Sequence, residues 1–216
     1  MSSTRRWMAA SAVLPMLLAP LAGCGLSHED EPTGTFRSST LDPLPIPHRC
    51  ANGARSEFVP TSMDVQDVGK GYPVIGLPRD ASDTPRTPPT SAKTTVAWDA
   101  PGNKPGGKLG NVLLNAHTWP DGTALGNAML AHTQVGDLIT LRAGKTNLCY
   151  RVTRRVEVGA HADYGPFWVE DGPPQVAMIV CSGRRLGPGN WSHRTIWFAE
   201  PFFGPVNYGT VNGSRH

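Results

Sequence analysis

Residues 173–199, PPQVAMIVCSGRRLGPGNWSHRTIWFA, decide the fold class. Val176-Ala177-Met178-Ile179-Val180 is an unbroken apolar run behind a Pro-Pro stop, the length of a strand and shorter than an ordinary helix. Cys181 ends the run and Ser182-Gly183 follow, so the backbone is expected to turn into a flexible loop with the thiol at the strand end. Beyond that 182–192 loop, Arg194-Thr195-Ile196-Trp197-Phe198-Ala199 resumes a strand pattern, and Arg194 opens it.

The same pattern recurs upstream. Asn111-Val112-Leu113-Leu114 and Leu138-Ile139-Thr140-Leu141 are short apolar runs bounded by glycine, while Leu148, Tyr150, Val152, Val156 and Val158 alternate with polar residues. Earlier still, Phe58-Val59 and Tyr72-Pro73-Val74-Ile75 are extended pieces beside DASDTPRTPPTSAKT (80–94), a long surface loop. One helix is expected, from Thr123 to Ala131, with Ala124, Leu125, Ala128 and Met129 on one face. The 24 Gly and 21 Pro among 216 residues leave little room for more. Many short strands, one short helix and glycine turns make an all-β chain, a closed barrel or a sandwich. Met63, Met129 and Met178 read as core filler.

The first residues belong to export. Arg5 and Arg6 precede an apolar run from Trp7 to Ala22, which Pro15 and Pro20 interrupt and which falls short of the ~20 residues that span a bilayer. Leu21-Ala22-Gly23-Cys24 resembles the lipobox of bacterial lipoproteins, which implies acylation of Cys24 after removal of residues 1–23. An uncleaved anchor and an ordinary secretory signal are the other readings, and all three put the folded part outside the cytoplasm. Residues 24–57 read as a polar, Pro-rich tether, 58–203 as the folded domain and 204–216 as a tail. Arg5 and Arg6 also supply two of the three positive charges in the net of +3, so no basic stripe remains and nucleic-acid binding is excluded.

Four cysteines, Cys24, Cys50, Cys149 and Cys181, enter a compartment that permits disulfides. With lipid on Cys24, three remain, and an odd thiol either pairs with another chain or is kept for chemistry. A Cys50–Cys149 bridge would staple the arm to the body and leave Cys181 free. The alternative is a reduced, buried Cys149 with Cys50 facing solvent.

Other motifs weigh less. Gly102-Asn103-Lys104-Pro105-Gly106-Gly107-Lys108 fits a phosphate loop until Leu109 takes the place of the Mg²⁺-binding hydroxyl residue, and a strand follows where a helix is needed. His117, His132, His161 and His193 are too dispersed for a zinc site, and Asp163, Glu170 and Asp171 read as solvated surface in preference to a calcium site, so neither metal nor cofactor is expected. There remain Cys181, His117, which ends the run of strand residues 112–116, and Arg194. A thiol needs a nearby imidazole or cation to attack as thiolate, and a guanidinium can hold the resulting oxyanion with two donors. Singly, each also reads as ordinary: a small core residue, a turn histidine, a surface charge.

At these residues the chain resembles the sortases, the cysteine transpeptidases of Gram-positive cell surfaces. The matching stretches are VAWDAPGNKPGGKLGNVLLNAHTWPDGTALGN (96–127), GDLITL (136–141), VAMIVCSG (176–183) and HRTIWFA (193–199), and AHTWPDGTALGN looks most like the actinobacterial class F members. The resemblance implies a closed β-barrel of about eight strands. It implies Cys181 as nucleophile, His117 as acid and base, and Arg194 as the oxyanion or substrate contact. It implies cleavage of an LPxTG-type sorting signal between Thr and Gly and transfer to a peptidoglycan-precursor amine, at the outer face of the membrane. Groove walls would come from Tyr164, Phe167 and Trp168 in the 159–174 loop and from Arg184, Arg185 and Trp191 in the 182–192 loop. One departure stands out: the family's Thr-Leu-x-Thr-Cys is Ala177-Met178-Ile179-Val180-Cys181 here, without either threonine. Competing readings are a lipid-anchored peptide-binding module that has lost activity and another wall-acting cysteine enzyme, such as an L,D-transpeptidase, whose SHGCxR pattern is missing.

Overall fold

The computed structural model describes Cys50 and residues 53–203. The export segment, Cys24 with its expected lipid, most of the tether and the tail lie outside the described residues. In chain order the elements are β1 (Ser62–Val65), β2 (Gly69–Leu77), β3 (Val96–Asp99), β4 (Asn111–Ala116), α1 (Leu125–His132), β5 (Leu138–Ala143), β6 (Thr146–Gly159), a 3₁₀ turn (Gly165–Phe167), β7 (Gln175–Gly187) and β8 (Asn190–Phe202). The strands close into one barrel in the order β1-β2-β3-β4-β7-β8-β6-β5. The β2–β3 and β4–β7 pairs are parallel and the others antiparallel. The all-β barrel read from the sequence is therefore the fold, and closure removes the sheet edges that an open sandwich would have to protect. No helix among the described residues is long and apolar enough to cross a membrane.

Side-chain alternation explains why β7 is apolar from Val176 to Val180. Val176, Met178 and Val180 point into the barrel with Trp98, Leu114 and Trp197. Ala177 and Ile179 point outward into a second cluster with Leu113, Phe167, Ile196 and Phe198. A strand covered on both faces has no solvent side on which to place polar residues. The methionines at 63, 129 and 178 are all fully buried.

Three expectations are corrected. The 182–192 segment is not a flexible loop: β7 and β8 continue as a hairpin through Arg185↔Trp191 and Gly187↔Asn190. A bulge between Ser182 and Arg185, with Gly183 at φ 75°, takes up the extra residues. Phe58-Val59 lies outside the strands, since pairing starts at Ser62, and the strand Val96–Asp99 was not singled out by its pattern. The packed body also reaches back before residue 58. Cys50 is fully buried and disulfide-bonded to Cys149, the Ala54 N–H donates to the Asn147 carbonyl at 2.7 Å, and Arg55 stacks 3.8 Å over the Phe203 ring.

One ion cluster braces the loops around the barrel mouth. Arg79 donates from Nη2 to Asp99 at 2.7 Å and to Glu170 at 3.1 Å, and from Nη1 to Asp83 at 3.2 Å. The Asp99 side chain is fully buried and has this guanidinium as its ion-pair partner. The 80–94 loop, the end of β3 and the β6–β7 loop are thus joined at one residue.

Candidate active site

Register places three side chains on one rung. In the parallel β4–β7 ladder the final pair is Ala116↔Val180, so one step further sets His117 beside Cys181. In the β7–β8 ladder Cys181 is paired directly with Arg194. Period-two alternation puts all three on the outward face that Asn115, Ile179 and Ile196 share below them. Adjacent strands lie about 4.8 Å apart, so a thiol, an imidazole and a guanidinium meet across three neighbours.

Two hollows join at this rung. A cavity of about 270 Å³ runs down the strand faces, floored by Leu113, Asn115, Ile179 and Ile196 and walled by Tyr164, Phe167 and Trp168. A second, of about 570 Å³, holds His117, Thr118, Trp119, Cys181, Arg185 and Trp191. Thr87 and Arg194 line both, so the guanidinium stands at the junction. Of the wall residues expected from sequence, Tyr164, Phe167 and Trp168 meet in the first cavity and Trp191 in the second. Phe167 is itself buried under the loop, with Trp168 packed edge-on at 4.9 Å. Arg184 lines neither cavity. Its N–H donates to Ser192 Oγ at 2.8 Å within the bulge, and Arg185 takes the wall position instead. The bulge breaks strand alternation, so only one of the two expected arginines lines the groove.

Each side chain of the rung is held. His117 Nε2 donates to the carbonyl of buried Pro88 at 2.8 Å, which leaves Nδ1 as the basic nitrogen of the neutral ring. Two positions along, Asn115 Nδ2 donates to the Arg86 carbonyl at 3.0 Å, so residues 86–88 run as a strap along the outer face of β4. Arg194 Nη1 donates to the His193 carbonyl at 2.9 Å and to the Trp191 carbonyl at 3.3 Å, which fixes the guanidinium against the hairpin. Cys181 is half-buried and is the free cysteine among the described residues.

Burial pushes the Cys181 thiol above its ordinary value, and the Arg194 charge pulls it back only in part. At neutral pH the sulfur is therefore mostly protonated. Alkylation of Cys181 by iodoacetamide is expected to rise with pH through a midpoint above that of a free thiol. Arg194→Gln should move that midpoint higher still, because it removes the one attraction that favours thiolate. A midpoint below the free-thiol value would contradict this balance.

The start of α1 sets the height of His117. The Gly126 N–H donates to the His117 carbonyl at 2.9 Å, while Asn127 accepts from the Trp119 N–H at 2.9 Å and donates to its carbonyl at 3.0 Å. A Cβ on residue 126 would sit 2.5 Å from both the His117 carbonyl oxygen and Thr118 Oγ1, closer than packed atoms approach. Gly126→Ala is accordingly expected to displace residues 117–118 and cut reactivity at Cys181 about tenfold or more, since small misplacements at a reacting centre cost that much. Unchanged rates at unchanged stability would show that the helix does not set this geometry. Gly126 and Asn127 lie in the ALGN of the stretch quoted above, but their contacts depend on how the helix docks.

The barrel is the sortase fold. Solved structures that share it include sortase C of Streptococcus pneumoniae, with a TM-score of 0.51 and 17% identity over 68% of this chain and 71% of that one. Sortase C1 of Streptococcus agalactiae has a TM-score of 0.50 and 15% identity over 67% and 68% of the two chains. Sortase C1 of Streptococcus suis has 0.50 and 15% over 71% and 76%. No protein-family model and no curated protein sequence matches the chain.

Proposed function

We propose that this protein is a cysteine transpeptidase of the sortase type, acting on the outer face of the cytoplasmic membrane through lipid on Cys24. It cuts an LPxTG-type sorting signal between Thr and Gly and transfers the acyl part to a peptidoglycan-precursor amine. The observation that carries this reading is the single rung of His117, Cys181 and Arg194 facing a groove on the sortase barrel. The stretch 116–127 supports the class F affinity within the family.

In the first half-reaction His117 Nδ1 takes the Sγ proton and Cys181 Sγ bonds to the Thr carbonyl carbon. The oxyanion so formed is held by the Arg194 guanidinium. Collapse breaks the Thr–Gly C–N bond, His117 returns the proton to the leaving amine, and a thioester remains on Cys181. In the second half an incoming amine gives its proton to His117 and attacks the thioester, the C–S bond breaks, and His117 passes that proton to Sγ so that the thiol is restored. The apolar cavity of Leu113, Ile179, Ile196 and Tyr164 suits the acyl half of the signal, and the cavity of Trp119, Arg185 and Trp191 suits the departing and incoming amines.

The test is incubation with an LPxTG-type peptide followed by intact-mass analysis, then addition of a primary amine. The expected result is an acyl adduct on Cys181 that the amine discharges to a peptide–amide product. Peptide binding with no adduct would favour the inactive binding module. Turnover of stem peptides with no sorting signal present would favour an L,D-transpeptidase.

A further inference from the structure

We propose that Thr118 is a positioning residue for Cys181, locking the end of the nucleophile strand to the end of the histidine strand. The proposal rests on the reading of Cys181 as nucleophile. The main-chain ladder between β4 and β7 stops at Ala116↔Val180, one residue short of the thiol. Past that point the link is a side chain: Thr118 Oγ1 donates to the Cys181 carbonyl at 2.7 Å.

The geometry gives that bond leverage on the sulfur. Across a trans peptide the carbonyl and the following N–H point in opposite directions. Directing the Cys181 carbonyl toward β4 therefore directs the Ser182 N–H toward β8, where Ser182 is paired with His193. The peptide plane that follows the thiol is thus gripped from both neighbouring strands, immediately before the left-handed Gly183 and the bulge. Without the Thr118 bond, this peptide plane would be held from β8 only.

Thr118 is itself a firm anchor. It is buried, its neighbours His117 and Trp119 are fixed by Gly126 and Asn127, and glycine at 126 leaves the space that its hydroxyl occupies. One residue thereby couples the imidazole and the thiol, through a bond between positions 63 residues apart in the chain. Both threonines expected before the nucleophile are missing here, and the hydroxyl that does reach Cys181 comes from the adjacent strand.

The experiment compares Thr118→Val, which keeps the shape without the donor, with Thr118→Ser, which keeps the donor. Each is assayed with an LPxTG-type peptide and, separately, by iodoacetamide labelling of Cys181 across pH, with a thermal melt alongside. For Val the expected result is kcat lowered about tenfold with KM within about twofold. Its labelling should be faster at neutral pH, with a midpoint moved down as the loosened sulfur meets water. Ser should stay within about threefold of the parent in every measure. A Val variant within twofold of the parent in kcat and unshifted in labelling, or a Ser variant as impaired as Val, would overturn the proposal. Labelling does not require turnover. If the parent protein cleaves no peptide, the catalytic reading fails, while the labelling comparison still decides whether Thr118 holds the thiol. Should Val not fold, Thr118→Ala takes its place in both assays.

Discussion

Cys181→Ala is expected to lower kcat/KM for an LPxTG-type peptide by about a thousandfold or more and to eliminate the covalent adduct, with little change in melting temperature. The size follows from the proposed role: without Sγ no thioester would form, and what would remain is the orientation and oxyanion stabilisation that the proposal assigns to His117 and Arg194. Little stability should be lost, because Cys181 is half-buried and its side chain faces the groove, outside the packed interior. Serine is the more searching substitution. It preserves shape and hydrogen bonding but offers a far less acidic group to the same imidazole, so Cys181→Ser should resemble Ala in rate. Residual cleavage above a few per cent in either variant would assign the nucleophile elsewhere.

Joint replacement of Cys50 and Cys149 by alanine is expected to cost about 4–5 kcal/mol of stability in the chain-entropy account, since the bridge closes a loop with a separation of 99 residues. For a domain of this size the melting temperature should fall by roughly 10–15 °C. Both half-cystines are fully buried and pack with Leu138 and Phe202, so truncation also removes apolar contacts. Urea unfolding of the parent with and without a reductant separates the two effects. A loss under about 1 kcal/mol would mean that the arm stays docked without its covalent tie.

Much of the fold was legible because the strands differ sharply from what surrounds them. Val176–Val180 and Arg194–Ala199 read as strands from their apolar runs and glycine borders, but Cys181 and Arg194, expected at strand ends, lie inside β7 and β8, which run on as a hairpin to Gly187 and Asn190. What could not be read was register. The step that sets His117 beside Cys181 is a parallel pairing between distant segments, and no local pattern fixes it. The same holds for Pro88, whose carbonyl meets the imidazole only because the 80–94 loop crosses the outer face of β4. Arg184 and Arg185 were both expected at the groove and only Arg185 reaches it, because a bulge shifts side-chain phase by one residue and leaves no mark in composition. Gly126 illustrates the remaining gap. A glycine early in a helix reads as a propensity cost, and its use as a close-approach point shows only once the helix has docked.

The β7–β8 hairpin and the parallel β4–β7 seam differ in how the polypeptide must travel to make them. Cys181 and Arg194 face each other as soon as a local hairpin zips, with a small loop-closure penalty. His117 joins them only after a long excursion of the backbone has been recovered, which is the slow kind of contact in folding. A chain arrested between these two events would own its sulfur and its guanidinium but no proton carrier. On the proposed mechanism it would stay inert toward peptide bonds until the parallel β4–β7 seam had closed.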